Sequence, residues 1–271
     1  MSRKPNVLVV QTEPVPVDKR PKYLSPSSVS TFEQCPLRYR YSRIDRLPEP
    51  ATEAQALGSF AHEVLESLML LAHEERTLGR ARQLLLEGWD AKWNAETQAL
   101  RLSDYDRHVF RWNVWHCVEN YFALEDPTTV TLEGVEARLE GTIEGVPVLG
   151  ILDRWHFAAD GTAVISDYKT GKVARKPYDA EKRLQLMVYV TLHEMLYDVT
   201  VGIAELIYLK GKGTRVAYEP TPDARAEMVS TVTSVWNGVD SSCTSGEFEA
   251  RKSRLCDWCS FKSICPAWEK K

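Results

Sequence analysis

The chain has no apolar run that approaches the roughly 20 residues of a membrane-spanning helix, so no segment of it reads as a span. After the charged start at Met1 to Pro5, only Val7-Leu8-Val9-Val10 is continuously apolar. That is too short for the core of a secretory signal, and a cytoplasmic location is expected. Net positive charge is also missing: 34 Lys and Arg stand against 38 Asp and Glu, a formal net charge of −4. This balance argues against a generic nucleic-acid coat, although local basic clusters matter more than the sum. No Gly-x-x-x-x-Gly-Lys-Ser/Thr loop occurs, so the chain is not itself a phosphate-loop ATPase or helicase. Internal repeats and low-complexity stretches are absent as well.

What is present is 271 residues of ordinary globular composition, enough for one large domain or a core with an appended subdomain. Residues 1–22, with Pro14, Pro16 and Pro21, read as an extended tail that adds little to the core. A helix is expected after Ser25 or Ser27 as cap. Apolar residues at helical spacing continue from 51 to about 76, around 80–97 and over 104–124. The aromatics of the last two stretches, among them Trp89, Trp93, Phe110 and Tyr121, suit a helical core better than base stacking. Past Asp126-Pro127 the period changes to that of strands, at Val130 to Leu139, Ile143 to Phe157 and Ala163 to Lys169. A helix over 178–197, strands at Val199 to Tyr208 and 213–219, and a helix over 222–237 complete the pattern.

The chemistry gathers at Asp153, within Gly150-Ile151-Leu152-Asp153-Arg154, and at Asp167-Tyr168-Lys169-Thr170-Gly171. Residues two apart on a strand share a side, so Asp167 and Lys169 are expected to face one pocket and Tyr168 to turn away. Two carboxylates beside a lysine suit metal-assisted phosphodiester hydrolysis: the acids hold a cation and the lysine stabilises developing charge. The plainer alternatives are a surface acid at Asp153 paired with Arg154, and a simple Asp167–Lys169 salt bridge. Gly58, His62 and Glu66 share a helix face at four-residue spacing, as do Gln185 and Tyr189. A polar helix face with Tyr189 packed beneath it is the bland reading of the latter pair.

This set of motifs resembles the PD-(D/E)xK nucleases, and among them the RecB-type exonuclease branch. Asp153 stands as the first acid, Asp167-Tyr168-Lys169-Thr170-Gly171 as the second half, Gly58-x-x-x-His62 before the acids and Gln185-x-x-x-Tyr189 after the lysine. The resemblance implies an α/β fold: a mixed central sheet flanked by helices, an N-terminal helical insertion and a C-terminal cluster region. By the same resemblance His62, Asp153 and Asp167 are metal ligands, joined by the Tyr168 carbonyl. Lys169 is catalytic, and Gln185 and Tyr189 position the site or the DNA strand. An imidazole ligand suits Mn²⁺ better than Mg²⁺, so activity with Mn²⁺ at least equal to that with Mg²⁺ is expected.

Six cysteines occur, and Cys256-x-x-Cys259-x5-Cys265 with Cys35 far upstream form one candidate set. Cys117 reads as buried in an aromatic helix, and Cys243 as part of a Ser/Thr-rich loop. A cytoplasmic chain does not depend on disulfides, so the four thiolates point to zinc or an iron–sulfur cluster, with unligated thiols as the plainer alternative. The resemblance favours [4Fe-4S], since members of the branch, such as the AddB nuclease domain and CRISPR-associated spacer-acquisition nucleases, share this one-plus-three layout. Tying Cys35 to Cys256 closes a loop of about 220 residues, worth about 5 kcal/mol in the simplest loop-closure model.

The expected organisation is therefore a tail over 1–22 and a nuclease domain over 23–271. Within that domain a helical part covers about 51–125, a catalytic core about 128–240, and a cluster segment 241–271 tied to Cys35. The expected activity is metal-dependent exonucleolytic hydrolysis of single-stranded DNA or DNA ends. The competing reading is a non-catalytic DNA-end-binding or adaptor subunit. Protein partners in a repair, recombination or spacer-acquisition complex are compatible with either, and no membrane is involved. Three basic clusters are candidates for phosphate contacts: Arg38, Arg40, Arg43 and Arg46 with Tyr39 and Tyr41 interleaved for stacking; Lys169, Lys172, Arg175 and Lys176; and Lys210, Lys212 and Arg215.

Overall fold

A computed structural model describes residues 7–173 and 179–268. The first six residues, and Arg175 and Lys176 of the second basic cluster, lie outside the described residues. In chain order the elements are β1 (Val7–Gln11), α1 (Pro26–Gln34), α2 (Pro36–Tyr39), α3 (Glu53–Met69), α4 (Leu78–Gly88), α5 (Asn94–Ala99) and α6 (Asp104–Leu124). There follow β2 (Thr131–Ile143), β3 (Val146–Phe157), β4 (Ala163–Lys169), α7 (Ala180–Tyr197), β5 (Val201–Tyr208), β6 (Thr214–Tyr218), α8 (Pro222–Ser245) and β7 (Glu247–Arg251). The fold is α/β, with a mixed five-stranded sheet in the order β2-β3-β4-β5-β6 and helices beside it, as expected. Strands β3 and β4 are antiparallel, β4 and β5 parallel, β5 and β6 antiparallel. The parallel step is made by α7, since parallel neighbours need a long crossover. No helix among the described residues is long and apolar enough to cross a membrane.

The chain divides into two compact units. One comprises residues 1–50, 140–150 and 222–271; the other comprises 51–139 and 151–221. In the first, the expected tail is corrected. Val7–Gln11 is a strand, paired antiparallel with β7 from Val7↔Arg251 to Gln11↔Glu247, and Val15 is buried. Such a pairing joins segments more than 230 residues apart and has no local sequence signal. Helix α1 begins with a reciprocal cap: Ser25 Oγ accepts from the Ser28 N–H, and Ser28 Oγ accepts from the Ser25 N–H. That satisfies two of the backbone donors that a helix start leaves open. Helix α8 runs two turns beyond its expected end, so Cys243 is a buried helical residue and not part of a loop.

In the second unit, α3 to α6 bury one apolar core that includes Phe60, Leu65, Trp89, Trp93, Phe110 and Tyr121, and takes in Tyr168 and Ile207 from the sheet. These rings are thus structural, as their helical spacing suggested, whereas Tyr105 and Trp112 of the same helix α6 are exposed. Tyr168 turns into this core, whereas Asp167, its neighbour on the strand, meets Gln185 of α7. The two faces of β4 therefore serve packing and chemistry separately, as the two-residue period of a strand dictates. Strands β2 and β3 turn at Glu144-Gly145, both at positive φ (47° and 81°), the twist that two-residue hairpins require. The expected break after Leu139 does not occur.

Candidate active site

The register of the sheet brings the two acids together. Arg154 of β3 stands opposite Ser166 of β4, so Asp153 and Asp167 lie one step further along the same antiparallel pair. There the Asp153 carboxylate accepts a hydrogen bond from the Tyr168 N–H at 2.6 Å. Both acids are buried, Asp153 at 7% and Asp167 at 2% exposure, which is costly for carboxylates unless they are paired or bind a cation.

Helix α3 supplies the imidazole. His62 Nδ1 lies 3.4 Å from Asp153 Oδ1, and Nε2 lies 3.1 Å from the Tyr168 carbonyl oxygen. Gly58, one turn earlier, permits this approach, since a Cβ there would stand 3.2 Å from Thr170 Oγ1. Burial acts to lower the His62 pKa, but its hydrogen bond to Asp153 and the charges of Asp153 and Asp167 outweigh burial and hold it above the ordinary value.

On the other side Lys169 forms an ion pair with Asp167 Oδ2 and donates to Gln185 Oε1 at 2.9 Å. The Gln185 amide nitrogen donates to Asp167 Oδ1 at 3.1 Å and to the Tyr189 hydroxyl at 2.8 Å. One amide thus braces both the acid and the lysine, and the partners on each side fix which end is oxygen. Burial, and then the Asp153 charge, push the Asp167 pKa up to about 6.

A residue that the sequence reading missed completes the cleft. Glu136 of β2 has a ligand atom within 4.8 Å of those of both His62 and Asp153. Burial, with Asp153 next, raises its pKa to about 7. It sits at φ +45° in mid-strand, where the alternation of burial in β2 is interrupted. The available signal was Gly134 two positions earlier, since glycine inside a strand often marks a bulge. The cleft measures about 690 Å³ and also exposes Glu63, Glu66, Lys172 and Lys182. An imidazole, three carboxylates and a backbone carbonyl form a donor set suited to Mn²⁺ or Mg²⁺.

Arg154 is not the partner of Asp153. It is fully buried on the opposite face, 2.6 Å from Glu125 Oε2 and 3.0 Å from the Tyr121 hydroxyl. Its guanidinium also stands over the rings of Tyr121 and Tyr168. Arg215 is drawn into the same network, donating to both oxygens of Glu205, so it is not the free phosphate contact expected of it. Tyr39 is buried with its ring edge-on to Phe32, which removes it from any stacking role. Tyr41 meets Phe261.

In the first unit Cys35, Cys256, Cys259 and Cys265 line a single cavity together with Leu37, Tyr41 and Phe261. Burial raises the Cys265 pKa, and the thiols of Cys35, Cys259 and Cys256 add to the rise. Among the described residues no three cysteine sulfurs lie within 4.8 Å of one another. Cys117 and Cys243 are buried elsewhere.

The family model of the PD-(D/E)XK nuclease superfamily matches residues 23–266. No curated protein matches the chain. Among solved structures, the chain is similar to a protein from Eubacterium rectale described as a candidate exonuclease. The two share 13% identity at a TM-score of 0.56, over 92% of this chain and 90% of that one. The likeness is one of fold. A second crystal structure, SSO0001, covers 79% of this chain and 96% of its own at 16% identity and a TM-score of 0.40.

Proposed function

We propose, for a chain that belongs to the PD-(D/E)XK nuclease superfamily, that it is a divalent-metal-dependent deoxyribonuclease. In this reading it acts as an exonuclease on single-stranded DNA or DNA ends. The observation that carries the reading is the joint placement of Asp153, Asp167, Lys169 and His62 in one cleft. The intact set of two acids and a lysine argues against a non-catalytic binding module.

His62, Asp153, Asp167 and the Tyr168 carbonyl would hold the cation. When bound, the cation lowers the pKa of water and neutralises charge on the scissile phosphate. Lys169 places its ammonium where negative charge grows on the phosphoryl oxygens or the nucleophile. Gln185 keeps that ammonium and Asp167 in register, and Tyr189 holds Gln185. Arg43, Lys210 and Lys212, which are exposed, are candidates for phosphate contacts, whereas Arg40 is held by Asp45 and the Glu13 carbonyl. We further propose that Cys35, Cys256, Cys259 and Cys265 hold a [4Fe-4S] cluster that staples the C-terminal segment to α1 and α2. A cytoplasmic protein working with partners in DNA repair, recombination or spacer acquisition is consistent with this activity.

The test is an assay on anaerobically purified protein with linear DNA labelled at either the 5′ or the 3′ end. Loss of one label that depends on Mn²⁺ or Mg²⁺ is expected, and it reports polarity directly. A folded, coloured protein that binds DNA ends but releases no label with any metal would favour the adaptor reading.

A further inference from the structure

The two-stranded sheet of the first unit has one covered edge and one open edge. Its order is β1-β7, in the register Val7↔Arg251 to Gln11↔Glu247. Just past β1 the Thr12 N–H donates to the Gly246 carbonyl at 2.9 Å. Backbone groups of antiparallel strands point alternately to the partner and to the far side. Those of Leu8 and Val10 therefore point to β7, and those of Val7, Val9 and Gln11 point away from it. On the β7 side the outward Glu249 carbonyl meets Cys35 Sγ at 3.7 Å, and α2 packs against that strand. On the β1 side no hydrogen bond among the described residues reaches the outward backbone groups of Val7, Val9 or Gln11. Edge strands are commonly guarded by charge, proline or a bulge. Val7-Leu8-Val9-Val10-Gln11 has no charge and no proline and pairs without a register shift. It leaves Val7 at 41%, Leu8 at 43% and Val9 at 55% exposure. An isolated two-stranded sheet is marginal in water and gains from further strands.

We propose that β1 is the contact strand of a homodimer, in which two copies of this chain join their sheets in the order β7-β1-β1-β7 by strand addition. The strand complements itself. Laid antiparallel about a two-fold axis at Val9, it sets Val9 opposite Val9 and Val7 opposite Gln11, the isologous pairing of a symmetric dimer. Each outward N–H then meets an outward carbonyl, and no two charges are opposed. Leu8 of each copy lies beside Val10 of the other, on the face shared with the buried Phe248 and Ala250. A second copy is favoured over the strand of another protein because the register that uses every outward group is the two-fold one. The inference is independent of the nuclease reading.

The experiment is sedimentation velocity on the full-length protein over a range of concentrations. A pairing this short belongs to the small, reversible class of interfaces, so the mass of wild type should rise through the micromolar range from one chain toward two. Val9→Pro removes only an outward N–H, so pairing with β7 is kept. Val9→Lys keeps the whole backbone and opposes two ammonium groups at the axis, and it serves where the proline variant folds poorly. Both variants should associate at least about tenfold more weakly than wild type. Val9→Glu alone should be as weak as Val9→Lys. An equimolar mixture of the Val9→Lys and Val9→Glu proteins should associate at least as tightly as wild type, because position 9 faces itself in the proposed register. A wild type that stays monomeric throughout overturns the inference. Association that persists unchanged in Val9→Pro and Val9→Lys also overturns it, since the contact then lies elsewhere. A mixture that remains monomeric overturns the two-fold register at Val9.

Discussion

Asp153 and Arg154 are adjacent in the chain and opposed across the sheet: the acid meets His62 in the cleft, and the guanidinium meets Glu125 beneath it. The buried base under the site is thus a network of Arg154, Glu125, Glu205 and Arg215, with Ser166 donating to Glu205 at 2.7 Å. It supports Tyr168, whose backbone faces both Asp153 and His62.

Removing Arg154 leaves Glu125 and Glu205 buried without their central partner. Arg154→Ala is expected to destabilise the fold by about 3–5 kcal/mol, measured by chemical denaturation at pH 7. A loss under about 1 kcal/mol would show that the network is dispensable.

Gln185 touches both Asp167 and Lys169 but is not one of the proposed metal ligands. Gln185→Ala should lower the cleavage rate by about 10–100-fold, as is typical for groups that orient a metal site from behind. Mn²⁺ affinity should stay near the wild-type value. A proportional loss of Mn²⁺ binding would instead make Gln185 part of the cation site.

Stability should fall in mild acid through His156. Burial is the main cause of its depressed pKa, with the Arg154 charge adding, and brings it to about 4. The unfolded chain therefore binds this proton near pH 6.5 and the folded chain does not, so stability is lost as pH falls from about 6.5 to 4. The contribution is on the order of 3 kcal/mol. Asp167 and Glu136, whose pKa values are raised, act in the opposite sense. The informative quantity is therefore the difference between wild type and His156→Gln, whose unfolding free energy should depend less steeply on pH in this window. Parallel pH profiles for the two would contradict the assignment.

Much of this arrangement was legible in the sequence. Asp167 and Lys169 were placed on one strand face by the two-residue period, and His62 with Gly58 on one helix face by the four-residue period. Glu136 was hidden because its strand departs from simple alternation at that point. The pairing of β1 with β7 was hidden because it is set by contacts distant in sequence, while the prolines after Gln11 looked like a linker. Arg154 looked like a partner for Asp153 because proximity in sequence says nothing about opposite strand faces.

The cysteine proposal predicts visible absorbance in anaerobically prepared protein. Cys259→Ser should lose it and lose up to about 5 kcal/mol of stability, whereas Cys117→Ser, in the apolar core of α6, should keep it. A colourless, folded protein containing one equivalent of zinc would replace the cluster with a zinc staple.

The central claim, hydrolysis supported by Lys169 beside Asp167, is tested most directly by single-turnover cleavage of linear DNA in Mn²⁺ by wild type and Lys169→Ala. Cleavage by wild type is expected, with a rate lower by about 10²–10³-fold in the variant and Mn²⁺ binding retained. Equal rates in the two proteins would contradict it.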